Sequence, residues 1–325
     1  MTNHIIFGGA GFFGFSLASK LSKNNDNKIY IVDNLSRGKF DQDLKNLLYK
    51  KNVFFLKIDL SIYKNFLKIN KHNFHYIYNL AATVGVKNVL EFPYKVLINN
   101  YEIQKNIIIF SKKQKDLKRV YFSSTSEVFY GSVKHNLAKF PTKENNIIAL
   151  DELENPRTTY MISKIYCEYL LIHSGLPYTI LRLHNIYGPR MGKSHVIPEL
   201  ILKLSKLKNG SSYRLVNPDH SRTFCFIDDA VNYLICTLKN KKTKNQIFNI
   251  GQSSPEISII NLTKIIKKLL NKNIKIIKKT KIQDFSQNRR RPSIVKLTKY
   301  INKKFNTKLI HGLKITKQWY LEQNE

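Results

Sequence analysis

Tyr160-Met161-Ile162-Ser163-Lys164 sets a phenol and an ammonium four residues apart, which on a helix means one face. A cation beside the phenol favours the phenolate, a base able to take a hydroxyl proton while hydride leaves the same carbon. In a chain with 18 Tyr and 45 Lys that spacing also arises by chance. Its position gives it weight: Ser124-Thr125-Ser126-Glu127 closes an apolar strand upstream, and ligands of open α/β sheets gather at the carboxyl edge. A second set begins with Gly8-x-x-Gly11-x-x-Gly14, between a short apolar run and a helical pattern. Glycine there allows a tight turn and lets a pyrophosphate approach backbone N–H groups at the helix start. Asp33 follows Gly14 by 19 residues. A carboxylate in that place accepts both ribose hydroxyls and repels a 2′-phosphate, favouring NAD over NADP, a preference that Arg37 would weaken. Asp59 ends the third strand, where it either approaches the adenine or caps a helix.

The elements that must carry these residues are legible as alternating strands and helices. His4–Phe7, Lys28–Asp33, Val53–Asp59, Tyr76–Leu80, Arg119–Ser124 and Tyr178–Leu183 read as strands. Strands alternating with helical stretches imply right-handed crossovers and an α/β, doubly wound parallel sheet of the Rossmann type. Beyond about residue 186 the pattern becomes irregular, so residues 1–185 are expected to form the nucleotide-binding domain. Residues 186–325 are expected to form mainly a smaller C-terminal α/β substrate lobe, with part of 222–250 returning to the first domain. Lys264–Leu270, within a Lys/Ile-rich stretch at 262–282, has the spacing of an amphipathic surface helix. No run of 18 apolar residues and no leader-like N-terminus is present, so no membrane association is expected and a cytoplasmic location is. Cys167, Cys225 and Cys236 have no metal-ligand spacing, so no metal is expected.

The charge, 55 Lys+Arg against 22 Asp+Glu or +33, suggests nucleic acid at first sight. Yet 45 of those cations are Lys and only 10 Arg, whereas phosphate and base recognition favours Arg forks. The excess runs with 33 Asn and 39 Ile, residue types that share A/T-rich codons, so biased composition accounts for it without a nucleic-acid partner.

Together these residues resemble the extended short-chain dehydrogenase/reductase family, in particular its nucleotide-sugar epimerases, dehydratases and decarboxylases. Gly8, Gly11 and Gly14 match its glycine motif, which implies cofactor contacts from Phe12, Phe13, Asn34 and Leu60 besides Asp33, Arg37 and Asp59. Asn79-Leu80-Ala81-Ala82 is similar to the segment beside the cofactor, and Asn100 to an Asn that orders the active site. Thr125, Ser126, Glu127, Tyr160 and Lys164 match the catalytic set. Asn185-Ile186-Tyr187-Gly188-Pro189-Arg190 resembles the segment that holds a sugar diphosphate; Arg222 and Arg291 fall where the family's arginines meet phosphate, and His195 borders the same region. There are departures: Phe7 for Thr, Asn79 for His, no Gly-Thr pair in Tyr101–Lys105, one extra residue in Val128-Phe129-Tyr130-Gly131, and Ser293 for Asp.

The resemblance implies an NAD-dependent enzyme of surface-polysaccharide sugar biosynthesis that oxidises C4 of a nucleotide-diphosphate sugar. Tyr160 would take the hydroxyl proton, and Thr125 or Ser126 would hydrogen-bond the carbonyl. Glu127 then divides the subclasses. A 4,6-dehydratase would use it to abstract the C5 proton; an epimerase needs no group there, although some carry Ser-Glu. These two readings stand level, ahead of a decarboxylase, where Ser126, Glu127 and Arg291 would handle a glucuronate carboxylate, and of a simple 4-dehydrogenase. A catalytically retired, nucleic-acid-binding or redox-sensing protein of the same fold is the non-enzymatic alternative, opposed by the intact Thr125, Tyr160 and Lys164. The family commonly forms homodimers through two helices, here about 97–113 and 158–173.

Overall fold

The computed structural model describes residues 1–279 and 287–323, so the end of the Lys/Ile-rich stretch, 280–282, lies outside the described residues. The chain divides into two compact units. The first comprises Met1–Val128, Leu150–Leu183 and Val231–Phe248; the second comprises Phe129–Ala149, His184–Ala230 and Asn249–Glu325.

The first unit is built on a seven-stranded sheet: β1 (Thr2–Phe7), β2 (Asn27–Asp33), β3 (Val53–Lys57), β4 (Tyr76–Asn79), β5 (Arg119–Thr125), β6 (Tyr178–Leu183) and β7 (Gln246–Ile250). Their order is β7-β6-β5-β4-β1-β2-β3, and β1 to β6 pair in parallel. The sheet is the doubly wound α/β arrangement of the Rossmann type. Its inner strands read as continuous apolar runs because both faces are covered: Ile5, Phe7, Val32, Ile77, Val120, Phe122 and Ile180 are buried on one face and Ile6, Ile31, Tyr78, Tyr121 and Leu181 on the other. The strand order reverses between β1 and β4, and the crevice at their carboxyl ends is where such sheets bind ligands.

Four helices matter for the site: α1 (Phe12–Leu21), α2 (Gln42–Leu48), α3 (Pro93–Lys112) and α4 (Pro156–Ile172). Helix α1 buries Phe13, Leu17, Ala18 and Leu21 along one stripe. Both α3 and α4 open on proline, whose fixed φ suits the first helical position and whose missing N–H is unneeded there. The Asn155 side chain caps α4, accepting from Arg157 N at 3.1 Å. Helices α3 and α4 pack on one another and leave Tyr166 and Tyr169 exposed.

The second unit carries short strands and helices. Ser221–Arg222 pairs with Ile257–Ser258 and with Arg289–Arg290, and Ser212–Val216 pairs in parallel with Lys275–Lys279. The amphipathic helix is Ile259–Leu269, with Ile259, Leu262 and Ile266 buried and Ser258 as its cap. One boundary differs from the sequence reading, which left residues 129–149 with the nucleotide-binding domain. Thr142 N donates to the Arg291 carbonyl and Ser293 N to that of Thr142, both at 2.8 Å, and the Asn249 side chain donates to the same Thr142 carbonyl. These pairings join segments more than a hundred residues apart, so no local pattern announces them.

Candidate active site

The glycine turn shows why its residues carry no side chain. Gly8 has φ +77, and a Cβ there would lie 2.7 Å from Ala81 N and 2.8 Å from the Leu80 carbonyl carbon. The turn after β1 thus rests directly on the Leu80-Ala81 backbone after β4, an approach secured by Leu80 N donating to the Phe7 carbonyl at 2.9 Å. A Cβ on Gly14 would strike the Gly8 carbonyl oxygen and lie 2.7 Å from Gly9 Cα, so α1 can press on the turn only as glycine. Helix α1 begins with no side-chain cap at Gly11, leaving its first N–H groups for a ligand anion. Phe12 opens the helix and Phe13 is buried beneath it.

Asp33 ends β2 as a buried carboxylate that accepts from Leu35 N at 2.8 Å and Ala10 N at 3.1 Å. Burial pushes its pKa up, and the two backbone donors pull against that. The Asn34 side chain accepts from Ser36 N, so the 33–38 segment is wound on two successive side-chain turns. Asp59 behaves likewise, its carboxylate accepting from Ser61 N at 3.0 Å and the Ser61 hydroxyl at 2.7 Å, with Leu60 buried beside it. A turn-capping role therefore accounts for Asp59. These residues fit a dinucleotide: a cradle that any Cβ would fill, an uncapped helix start and a carboxylate at the ribose position.

The catalytic candidates meet at the end of β5. The Thr125 hydroxyl accepts from Glu127 N at 3.2 Å, and its side chain lies close enough to the Tyr160 phenol to pull that group's pKa down. Lys164, only 3% exposed, donates from Nζ to the Ser123 carbonyl at 2.8 Å and lies 6.0 Å from the Tyr160 ring centroid. Burial lowers its pKa to about 8. The phenol moves opposite to the expectation that Lys164 favours phenolate. Burial and the nearby Glu127 charge push its pKa well up, against a downward pull from Arg37 and the Thr125 side chain. Desolvation outweighs one cation whose hydrogen bond is spent on a carbonyl. Ser126 is buried, and Ser124 Oγ has no hydrogen-bond partner among the described residues. Asn100 ties the site together: its amide bridges Thr83 N (2.7 Å) and Thr83 O (3.2 Å) and donates to Ser163 Oγ (3.0 Å), which donates to the Tyr160 carbonyl (2.8 Å). Ala81 and Ala82 belong to the segment that this bridge holds.

Two family departures turn out to be one. Asn79 and Gln104, both fully buried, join through a 2.6 Å hydrogen bond, so the unusual Asn on β4 meets the unusual residue on α3. The extra residue after Val128 is absorbed by a single tight turn at Ser126–Phe129 and a short helix at Tyr130–Lys134.

The structure also reveals a residue that motif reading passed over. Arg157 lies 3.7 Å from a Glu127 carboxylate oxygen, with the two side chains 18% and 15% exposed. A cation in the first turn of a helix, three residues before Tyr160, was the signal in the sequence.

In the second unit, Asn185 adopts φ 45 and its amide donates to the Thr223 carbonyl at 3.0 Å. Arg190 likewise takes a positive φ of 66, and His195 caps the helix Val196–Lys206 through its backbone. Arg222, expected at a phosphate, instead donates to the carbonyls of Ser221 (2.7 Å), Asn288 (2.9 Å) and Gln287, and is buried. Arg291 Nε donates to the Ser253 carbonyl at 2.9 Å, and its guanidinium lies 3.9 Å from Glu256. Glu256 is held chiefly by Arg289, in two bonds of 2.7 and 2.8 Å that draw its pKa down. No group of His, Cys, Asp and Glu able to hold a metal occurs among the described residues. No helix among them is long and apolar enough to cross a membrane.

Residues 4–251 match the model of the NAD dependent epimerase/dehydratase family. The chain belongs to that family. It is 31% identical over 332 residues to the UDP-N-acetyl-alpha-D-glucosaminuronate decarboxylase of Bacillus cytotoxicus, covering 98% of this chain and 97% of the relative. A putative UDP-glucose 4-epimerase of Methanocaldococcus jannaschii is 31% identical over 271 residues, 81% of each chain. Among solved structures, the UDP-N-acetylglucosamine 4-epimerase of Methanobrevibacter ruminantium, in complex with UDP-N-acetylmuramic acid, superposes with a TM-score of 0.85 at 25% identity over 99% of both chains. The chain is thus an NAD-dependent nucleotide-sugar enzyme of the epimerase, dehydratase and decarboxylase group.

Proposed function

We propose that this enzyme oxidises C4 of a uridine-diphosphate-linked hexuronic acid and then removes its carboxyl group as CO2. The observation that carries this reading is the end-to-end likeness to a hexuronate decarboxylase, at 31% identity over nearly the whole of both chains. The placing of Glu127 beside Tyr160 supports it, since oxidation alone requires no such acid.

Gly8, Gly11, Gly14, Asp33 and the first turn of α1 would hold NAD, which when bound accepts a hydride from C4 and can return it. Tyr160 Oη takes the C4 hydroxyl proton, and Thr125 Oγ1 orients the C4 oxygen. The Lys164 ammonium, kept from water, offsets charge as the phenol loses its proton. Once C4 is a ketone, the C6 carboxylate is β to it. Breaking C5–C6 releases CO2 and leaves the electron pair delocalised onto the C4 oxygen, where the Tyr160 phenol and Thr125 hydroxyl donate to it. Glu127 relays a solvent proton to C5, so that the carboxylate is replaced by hydrogen.

Epimerisation at C4 is the second reading, favoured by the solved structure of a 4-epimerase with a TM-score of 0.85. Incubating the NAD-loaded protein with UDP-glucuronate, UDP-N-acetylglucosaminuronate, UDP-glucose and UDP-N-acetylglucosamine, and weighing the products, separates them. Loss of CO2 is expected. Unchanged mass with a new stereocentre identifies an epimerase, loss of water a dehydratase, and a keto-sugar with accumulating NADH a dehydrogenase. Tyr160→Phe is expected to lower turnover at least 100-fold, within the usual range for general base catalysis; full activity in that variant rejects the mechanism.

A further inference from the structure

Arg157 stands where elementary electrostatics disfavours it. It is the second residue of α4, whose first turn contains no acidic residue. The positive end of the helix dipole repels a cation there. Its guanidinium is nevertheless largely buried, and its described ionic partner is Glu127.

The same unit shows what a closed Arg–Glu pair looks like. Arg182 engages Glu168 through two hydrogen bonds of 3.0 and 2.8 Å, and both side chains are about 95% buried. Arg157 and Glu127 approach only to 3.7 Å, beyond hydrogen-bond length. The attraction is real, but the planar fork of Arg157 is not matched to that carboxylate.

A sugar acid supplies the missing match. When its C4 oxygen sits at Tyr160 and Thr125, the carboxylate on the adjacent C5 falls within a few ångströms of them. That brings a second negative charge beside Glu127, which already acts on Tyr160. Two carboxylates at such range need a cation with donors for both. Arg157 lies against Glu127, on the helix face of Tyr160 one turn earlier. Arg37, the guanidinium that acts on Tyr160 itself, follows Asp33 in the chain, on the cofactor side.

We propose that Arg157 is the specificity-determining residue that grips the carboxylate of the nucleotide-linked hexuronate beside Glu127. This rests on the decarboxylase reading above and adds a recognition group to it. Neutral hexoses lack the carboxylate, so Arg157 gives them no such contact.

The test is calorimetric binding of UDP-glucuronate and UDP-glucose to the full-length, NAD-loaded protein, with Arg157→Gln and Arg157→Lys alongside the wild type. A charge-assisted bidentate contact is expected to give the uronate a preference on the order of 10- to 100-fold. Arg157→Gln should erase that preference while moving the UDP-glucose dissociation constant less than about twofold, and Arg157→Lys should keep part of it. A preference that survives in Arg157→Gln overturns the inference, and so does an equal loss for both ligands, which marks a structural role. If the wild type releases CO2 from UDP-glucuronate and Arg157→Gln keeps the preference, only the inference fails. If the wild type neither prefers nor decarboxylates the uronates, both fall.

Discussion

Lys164→Met should make the cofactor-free protein more stable while abolishing its turnover. The Lys164 ammonium is 3% exposed, donates to the Ser123 carbonyl and lies 4.7 Å from the Phe122 ring centroid. Those contacts do not replace its water, and burial holds its pKa at about 8 against an ordinary 10.5. Below pH 8 both folded and unfolded chains carry this proton, and the folded state bears the full cost of the buried charge. Between pH 8 and 10.5 the unfolded chain binds more protons than the folded one, so wild-type stability rises with pH. The gap between 10.5 and about 8, at about 1.4 kcal/mol per pH unit, amounts to about 3 kcal/mol. Methionine has similar length and no charge, so the variant should lead by up to about 3 kcal/mol at pH 7.5. That lead should shrink by about 2 kcal/mol between pH 8 and 9.5. Urea unfolding of both chains across that range, followed by circular dichroism, reads the difference. A difference that stays constant with pH within about 0.5 kcal/mol refutes the reasoning, because the slope is set by the charge alone.

Gly14→Ala places a methyl group against the Gly8 carbonyl and Gly9 Cα, so α1 must retreat from the turn. NAD affinity measured by calorimetry should fall at least tenfold, and an unchanged affinity counts against the cradle. Ser124→Ala removes a buried hydroxyl that has no partner among the described residues. Thermal melting of the cofactor-free protein should rise by the equivalent of about 1 kcal/mol. A fall of that size would mean the hydroxyl is already well bonded in the fold.

The parts of the site legible in the sequence are those set by short spacing. Gly8, Gly11 and Gly14 announce a turn because the cradle is local, and Tyr160 and Lys164 share a face because one helix carries both. The inner strands β1, β2, β4, β5 and β6 are visible because a sheet covered on both faces needs unbroken apolar runs, and β3 because its edge position still carries Val53, Phe54, Phe55 and Leu56 in a row. What stayed hidden depends on distant segments. Asn79 and Gln104 look like two separate departures until a hydrogen bond across 25 residues joins them. Residues 129–149 follow β5 in sequence but pair with 291–293. The Tyr160 shift runs against what spacing suggests, because spacing reports a neighbouring charge and says nothing of desolvation.

The basic charge illustrates the same division between composition and placement. Arg119, Arg182 and Arg222 are buried, and each donates to internal acceptors: hydroxyls and carbonyls for Arg119, Glu168 for Arg182, and carbonyls for Arg222. A surface built to read nucleic acid would present such forks outward. Lysine shows the reverse pattern. Of 45 lysines in the chain, Lys164 is the one buried among the described residues. A compositional drift towards lysine adds the residue wherever water can solvate it, and it selects against burial, where a cation costs kilocalories. A lysine kept in the interior against that cost, one turn from a buried phenol and next to the end of β5, is therefore held there by the chemistry of the site.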